Sequence, residues 1–152
     1  MNIQNEQAIR RFQEILRVKT ISRKDDSTDW AEFDRFLPTL KEQFPQVFEK
    51  LECTIINDYG IVLCWKGKNA GLQPVILMAH HDVVPVEGQD WHYPPFAAEI
   101  HDDKIYARGT VDTKCILAAI LEAMDALLSE GFVPERDIYF TTTNNEETSG
   151  QT

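Results

Sequence analysis

Residues 74–85, Pro74-Val75-Ile76-Leu77-Met78-Ala79-His80-His81-Asp82-Val83-Val84-Pro85, carry the most informative pattern of this chain. Its apolar part, residues 74–79, predicts a buried β-strand, because a short apolar run between turn signals is typical of a strand in a covered sheet. His80 and Asp82 follow at the carboxyl end, and the alternation of an extended backbone places both side chains on the same side. Ligands of open α/β sheets bind at this end of the strands.

A second strand-like run, residues 137–143, is rich in β-branched and aromatic residues and ends just before Glu146-Glu147. Between the two runs, apolar residues trace one face of a helix that starts near Ile116, and Gly131 is well placed to end it. The order strand, helix, strand predicts parallel pairing with a right-handed crossover. Asp112 stands just before this helix.

The first half of the chain predicts two helices and a hairpin. Apolar residues recur at helical spacing in residues 5–19 and again from Asp29, where Pro38 is expected to limit or kink the second helix. Residues 53–56 and 61–65 flank a turn and read as a hairpin. Helices followed by such strands indicate an α/β fold.

Composition excludes several classes of protein. The 152 residues include 15 basic and 25 acidic side chains, and the net charge of −10 would repel a nucleic-acid backbone. No apolar stretch approaches the roughly 20 residues of a membrane helix, and residues 1–7 lack the features of a signal peptide. The three cysteines have no CxxC spacing and suit reduced thiols. We therefore expect a cytoplasmic protein without a nucleic-acid or membrane partner.

Strand ends and loops present His80, Asp112 and Glu146-Glu147 to what could be one cleft. Imidazole and carboxylate groups are suitable zinc ligands, and two ions can share a bridging carboxylate. Each feature also has a structural explanation: a hydrogen-bonded histidine, an acid at a helix N-terminus, or a solvated turn. Three such coincidences together are improbable, so the combination favours a two-metal hydrolytic site.

Four segments occur in an order typical of one enzyme family. They are His80-His81-Asp82-Val83-Val84-Pro85, Trp91-His92-Tyr93-Pro94-Pro95-Phe96, Ile105-Tyr106-Ala107-Arg108-Gly109-Thr110-Val111-Asp112-Thr113-Lys114 and Glu146-Glu147-Thr148-Ser149-Gly150. They resemble the zinc-dependent metallopeptidases related to carboxypeptidase S, aminoacylase, acetylornithine deacetylase and succinyl-diaminopimelate desuccinylase. The carboxypeptidase S branch is the most similar.

The resemblance implies a role for each motif residue. His80 would bind one metal ion, Asp112 would bridge two ions, and Glu147 would bind the other. Asp82 would hydrogen-bond and orient His80, as metal-binding histidines require, and Glu146 would be the general base. The implied cofactor is a pair of zinc ions, with cobalt or manganese as alternatives.

The same resemblance implies a fold and a reaction. The fold would be a three-layer α/β domain with a mixed, mostly parallel sheet and flanking helices. The reaction would be hydrolysis of an amide bond in a dipeptide or an N-acyl amino acid, with deacetylation or desuccinylation as the alternative.

The family uses two further metal ligands, an Asp and a His, and a lid domain that contributes to dimerisation. None of these can be found in the sequence, so residues 1–152 are expected to be the amino-terminal part of a catalytic domain. The full-length protein would be a homo-oligomer, and this chain alone would be inactive. An alternative of another class is a truncated remnant that binds a metal or a partner without catalysis.

Several other residues are assigned to packing. His81, His92 and His101 lie outside the motif's ligand positions, so structural or surface roles are expected for them. Cys115 opens an apolar helix, which favours a buried thiol.

Overall fold

The computed structural model describes residues 3–25 and 27–150, with side chains from residue 6 onward. The elements follow in the order α1 (Ile3–Arg17), α2 (Trp30–Gln43), α3 (Pro45–Lys50), β1 (Glu52–Ile56), β2 (Gly60–Trp65), β3 (Val75–His80), β4 (Glu99–His101), β5 (Lys104–Tyr106), α4 (Lys114–Ser129) and β6 (Ile138–Thr143). A short 3-10 helix, Glu146–Thr148, follows β6. Expectations for Met1, Asn2, Asp26, Gln151 and Thr152 lie outside the described residues.

The main sheet has four strands in the order β1-β2-β6-β3. The predicted parallel pairing of β3 with β6 is confirmed, and it places His80 opposite Thr143. The strands β1 and β2 form the predicted antiparallel hairpin, and β2 also pairs antiparallel with β6. The mixed α/β class is therefore confirmed. Within the described residues, β3 and β6 form the parallel pair of the main sheet, and the hairpin joins β6 from the opposite direction.

The helices cover one face of the sheet. Leu63, Phe140 and Leu77 are in register across β2, β6 and β3, and they pack against a core to which α1–α4 all contribute. On the other face of β3, Ile76 and Met78 are 61% and 69% exposed. Over the described residues this strand is covered on one face only, where a three-layer fold predicts cover on both.

Local sequence explains the helix limits. The Asp29 side chain accepts a hydrogen bond from the Ala31 N–H and caps α2. Pro38 was expected to limit or kink this helix, yet α2 continues through it to Gln43. Pro45 is the first residue of α3, a position where its missing N–H has no cost.

The helix α4 packs on both the sheet and α1. Leu117 and Leu121 are fully buried, and burial of each such side chain stabilises the fold by roughly 1.5–3 kcal/mol. Arg11 of α1 lies 3.1 Å from Glu122 and 3.0 Å from Asp125. Gly131 follows the helix with φ of +72°, as expected for its proposed role as terminator.

The hairpin of β4 and β5 was not predicted. Asp102 and Asp103 form its turn with φ of +48° and +60°, the conformation of a type I′ turn. The signal was present, since short alternating segments flank the two aspartates on both sides. In the part of the chain that the structure describes, no helix is long and apolar enough to cross a membrane.

Candidate metal centre

His80 is the last residue of β3 and presents one ring nitrogen to a group of carboxylates. Nδ1 lies 3.0 Å from the carbonyl oxygen of Asp82 and 3.4 Å from its Oδ1 atom. Nε2 lies 3.0 Å from Oδ1 of Asp112 and 3.7 Å from Oε2 of Glu146. Because Nδ1–H is occupied by Asp82, Nε2 is the nitrogen available to a metal ion.

The carboxylate of Asp82 is fully buried and holds the turn that carries the glutamates. Its Oδ1 accepts a hydrogen bond from the Glu146 N–H at 3.1 Å, and its Oδ2 accepts one from the Glu147 N–H at 3.0 Å. Ser22 Oγ donates a third hydrogen bond to Oδ2 at 2.6 Å. Burial acts to raise the pKa of Asp82, but the hydrogen bonds from His80, Ser22 and Glu147 outweigh it and lower that pKa.

The ligand atoms of His80, Asp112 and Glu147 all lie within 4.8 Å of one another. Asp112 comes from the loop before α4, and Glu147 comes from the short helix after β6, so the carboxyl edge of the sheet brings the three together. One imidazole nitrogen and two carboxylates form a donor set that suits zinc and related divalent ions. Their spacing is therefore compatible with a bound cation.

The site is closed on one side and open on the other. The His80 side chain is 10% exposed, whereas the side chains of Asp112 and Glu146 are 76% and 60% exposed. A small molecule could reach the carboxylates from solvent without passing through the core.

Electrostatics in the metal-free site favours a cation. The hydrogen bond with Asp82, assisted by Asp112, raises the pKa of His80 to about 9, so the ring is an imidazolium near neutral pH. Burial, followed by the negative charge of Asp112, raises the pKa of Glu147. A divalent ion would replace the proton on Nε2 and relieve the repulsion between the carboxylates.

The segment that follows α1 borders the site, which the sequence did not suggest. Ser22 reaches Asp82, and Thr20 Oγ1 donates a hydrogen bond to the carbonyl of His81. Two backbone hydrogen bonds fix this segment to the loop after β3: Val83 N–H to Thr20 O at 2.8 Å, and Ser22 N–H to Val83 O at 3.2 Å. Short polar residues of this kind carry no sequence signal for a contact so far along the chain.

Lys114, two residues after Asp112, is buried, and this burial was also not predicted from the sequence. Lys114 is fully buried, and Nζ donates to the carbonyls of Val18 at 2.7 Å and Ile15 at 3.2 Å, at the end of α1. Burial lowers its pKa to about 7, against the opposing effect of the Asp82 and Glu32 charges. The lysine thus connects α1 to the start of α4.

Of the residues assigned to packing or to the surface, His81 is buried, whereas His101 and Cys115 are only partly buried. His81 is buried and stacked on Phe36, with ring centroids 4.4 Å apart, and burial lowers its pKa to about 3. His101 stacks on Tyr93 at the surface. Cys115 is half-buried and donates to the Val111 carbonyl, so the prediction of a buried thiol is wrong.

Known proteins are similar to this chain in sequence and in fold. A family model described as peptidase family M20/M25/M40 matches residues 76–151. A probable carboxypeptidase S-like protein of Dictyostelium discoideum is 45% identical over 120 residues, which is 78% of this chain and 23% of that protein. An N-fatty-acyl-amino acid synthase/hydrolase of Danio rerio is 33% identical over 151 residues, which is 97% of this chain and 29% of that protein.

Among solved structures, an M20 family metallo-carboxypeptidase from Sulfolobus solfataricus matches with a TM-score of 0.72 and 27% identity, covering 97% of this chain and 32% of that one. The chain spans about a quarter of the length of its curated relatives. The resemblance to carboxypeptidase S and related metallopeptidases is confirmed, and the family implies a divalent metal. The chain belongs to peptidase family M20/M25/M40.

Proposed function

We propose that the complete protein hydrolyses an amide bond in a dipeptide or an N-acyl amino acid with the help of zinc. The observation that carries the proposal is the convergence of His80, Asp112 and Glu147, whose ligand atoms lie within 4.8 Å of one another. A nearby carboxylate that binds neither ion is also needed, and Glu146 is available for that role.

His80 would hold one ion through Nε2, Glu147 would hold the second, and Asp112 would bridge them. The donor set supports this assignment, because imidazole and carboxylate suit zinc, and the hydrogen bond from Nδ1 to Asp82 leaves Nε2 as the nitrogen that faces the Asp112 carboxylate. Cobalt and manganese accept the same donors. Zinc ions bound there would lower the pKa of a water molecule and polarise the scissile carbonyl.

Glu146 would transfer a proton from the attacking water to the leaving nitrogen. Its side chain is 60% exposed and lies at the edge of the ligand group, with Oε2 3.7 Å from Nε2 of His80. In this position the carboxylate can take a proton from the attacking water and then deliver it to the leaving nitrogen. Its backbone N–H is held by Asp82, which limits how far the turn can shift during these steps.

Relatives support the class of substrate. Similar proteins include carboxypeptidase S-like proteins and an N-fatty-acyl-amino acid synthase/hydrolase. Both names describe an amide next to an amino acid. We therefore propose a substrate with an amide bond beside a free amino-acid carboxylate.

Residues 1–152 would form the amino-terminal part of the catalytic domain. This chain carries three of the five metal ligands that the family resemblance implies, so it would hold a metal ion weakly and turn over no substrate by itself. A complete site, and the proposed homo-oligomer, would require the part of the family fold that this chain does not span. If the chain occurs alone, it would be a metal-binding remnant.

The test is Glu146→Gln in the complete gene product, assayed on dipeptides beside N-acetyl amino acids. We expect metal content to stay constant while turnover falls by at least about 100-fold, because general acid–base catalysis contributes on that order. Unchanged turnover would refute the role of Glu146. Preference for N-acetyl or N-succinyl substrates would assign the protein to the deacetylase and desuccinylase group instead.

A further inference from the structure

We propose that Ser22 is a positioning residue of the metal centre, which acts by fixing the carboxylate of Asp82. The inference rests on the proposed function, since it concerns how the same site is held ready for its ions. Ser22 lies outside residues 76–151, to which the family model matches. No motif in the sequence points to it.

The hydroxyl of Ser22 is built into the core beside Asp82. Ser22 is 6% exposed and Asp82 is fully buried, and their side-chain oxygens lie 2.6 Å apart. A hydrogen bond from a neutral donor to a buried carboxylate is among the stronger ones in proteins. Water has little access to this pair, so the hydroxyl has no ready substitute.

The position of Ser22 is fixed by its neighbours rather than by its own side chain. Residues 20–22 run beside the loop after β3, with Ile21 and Val83 in a parallel bridge. Hydrogen bonds connect Val83 N–H to Thr20 O at 2.8 Å and Ser22 N–H to Val83 O at 3.2 Å. Lys114 holds the preceding turn through the Val18 carbonyl at 2.7 Å. The backbone that carries the Ser22 hydroxyl is therefore held in a fixed position next to Asp82.

The Asp82 carboxylate connects Ser22 to the proposed metal ligands. The same Oδ2 atom that binds Ser22 also accepts the Glu147 N–H, while Oδ1 accepts the Glu146 N–H and lies 3.4 Å from Nδ1 of His80. Without the hydroxyl, the carboxylate loses the hydrogen bond that Ser22 donates from the segment after α1. Rotation of the carboxylate would then loosen both the glutamate turn and the imidazole. Partners of this kind usually change metal affinity by about 10–100-fold.

The chain offers a matched control in Thr20. Its hydroxyl is also buried in the same segment, but it donates to the backbone carbonyl of His81 instead of to Asp82. Thr20→Val should therefore cost similar stability without releasing the carboxylate. Ser22→Thr keeps the hydroxyl and serves as the conservative variant.

The experiment measures two quantities on the 152-residue chain. Titration with Co²⁺, followed by its visible absorption, gives metal affinity. Hydrogen exchange in the metal-free chain gives the protection of the Glu146 and Glu147 amides. For Ser22→Ala we expect about 10-fold weaker Co²⁺ binding and about 10-fold faster exchange of the two amides, with both near parental values in Ser22→Thr and Thr20→Val.

Each outcome decides one question. Parental affinity and parental exchange in Ser22→Ala would overturn the positioning role. Equal losses in Thr20→Val would also overturn it, because the effect would then be general loosening of the segment. If the parent chain binds no Co²⁺, the three ligands of this chain do not hold the ion without the rest of the site, and the exchange of the two amides still decides whether Ser22 positions the turn.

Discussion

The Oδ2 atom of Asp82 lies 3.0 Å from the backbone nitrogen of Glu147, which follows it by 65 residues in the chain. This contact joins the end of β3 to the turn after β6, the two places that carry most of the proposed site. The sequence motif suggested that Asp82 orients His80. In the structure the carboxylate does more, because it also fixes the backbone on which both glutamates stand.

Asp82→Asn should weaken the site more than it weakens the rest of the fold. An amide group placed in the same position turns its NH₂ toward at least one backbone N–H, so a buried donor loses its acceptor, at a cost of about 1–3 kcal/mol. We expect zinc affinity, measured by calorimetry, to fall by about 10–100-fold. Asp90→Asn at an exposed position is the control and should bind zinc as the parent does.

His80 should be required for any stabilisation of the chain by zinc. A ligand that binds only the folded state at 100 times its Kd stabilises that state by about 2.7 kcal/mol. We expect zinc to raise the denaturant midpoint of the parent and to have no such effect on His80→Gln. His101→Gln is the matched control, because its Nε2 also faces a carboxylate, Glu99, at 2.7 Å. An equal response of both variants would contradict the assignment.

Parts of this site could be predicted from sequence because their signals are local. An apolar strand followed by His80 and Asp82, and an acidic pair after a second strand, mark a carboxyl sheet edge without any knowledge of tertiary contacts. Ser22 could not be found in this way, because its contact with Asp82 joins positions 60 residues apart through a single hydroxyl. Serine in a polar loop is too common to carry such a signal.

In the fold, too, one part of the structure could be predicted from the sequence and another part could not. Each strand and helix has its own periodicity, so the elements of the main sheet could be predicted one by one. The parallel pairing of β3 with β6 and the β1–β2 hairpin were predicted as well, but the antiparallel contact of β2 with β6 was not, because it depends on where the hairpin docks after it has formed. The burial of Lys114 could not be predicted from local sequence, since a lysine at the start of a helix is ordinarily exposed and here is fully buried against the carbonyls of Ile15 in α1 and Val18 just after it.

His81 should make the chain sensitive to mild acid. Its folded-state pKa is about 3 and its unfolded value is near 6.5, so the unfolded state binds more protons as pH falls below 6.5. The contribution of neutral His81 to the free energy of unfolding is fully present above pH 6.5. It declines as the pH falls, and at pH 5 the loss is about 2 kcal/mol. His81→Gln can keep a hydrogen bond to Thr142 and does not titrate.

We expect the difference in unfolding free energy between parent and His81→Gln to change by that amount between pH 7 and pH 5, measured by urea denaturation with chelator present. His80, whose folded pKa is raised to about 9, also contributes to stability across this window because its unfolded form titrates near pH 6.5, but both proteins carry it and its contribution cancels from the difference. A constant difference across the window would show that His81 is not held neutral by burial.

Gly109 should be far less tolerant of substitution than Gly88. Both residues have positive φ, +85° and +72°, which costs a side chain roughly 1–2 kcal/mol. A Cβ on Gly109 would also lie 2.9 Å from Cγ1 of Val83, whereas a Cβ on Gly88 meets nothing within 4 Å. We therefore expect Gly109→Ala to lose more unfolding free energy than Gly88→Ala, and to bind zinc more weakly because the loop to Asp112 must shift.

The exposed face of β3 should make this chain self-associate. Ile76 and Met78 are 61% and 69% exposed and lie side by side on an edge strand of the main sheet. Apolar side chains beside an unpaired strand edge favour pairing with another chain. We expect Met78→Lys to weaken association by about tenfold in sedimentation velocity, since a charge must then be buried in the contact. Val133→Lys, at an exposed residue after α4, is the control and should leave association unchanged. A parent that stays monomeric over a wide concentration range would contradict the prediction, because the uncovered face would then be stable in water by itself.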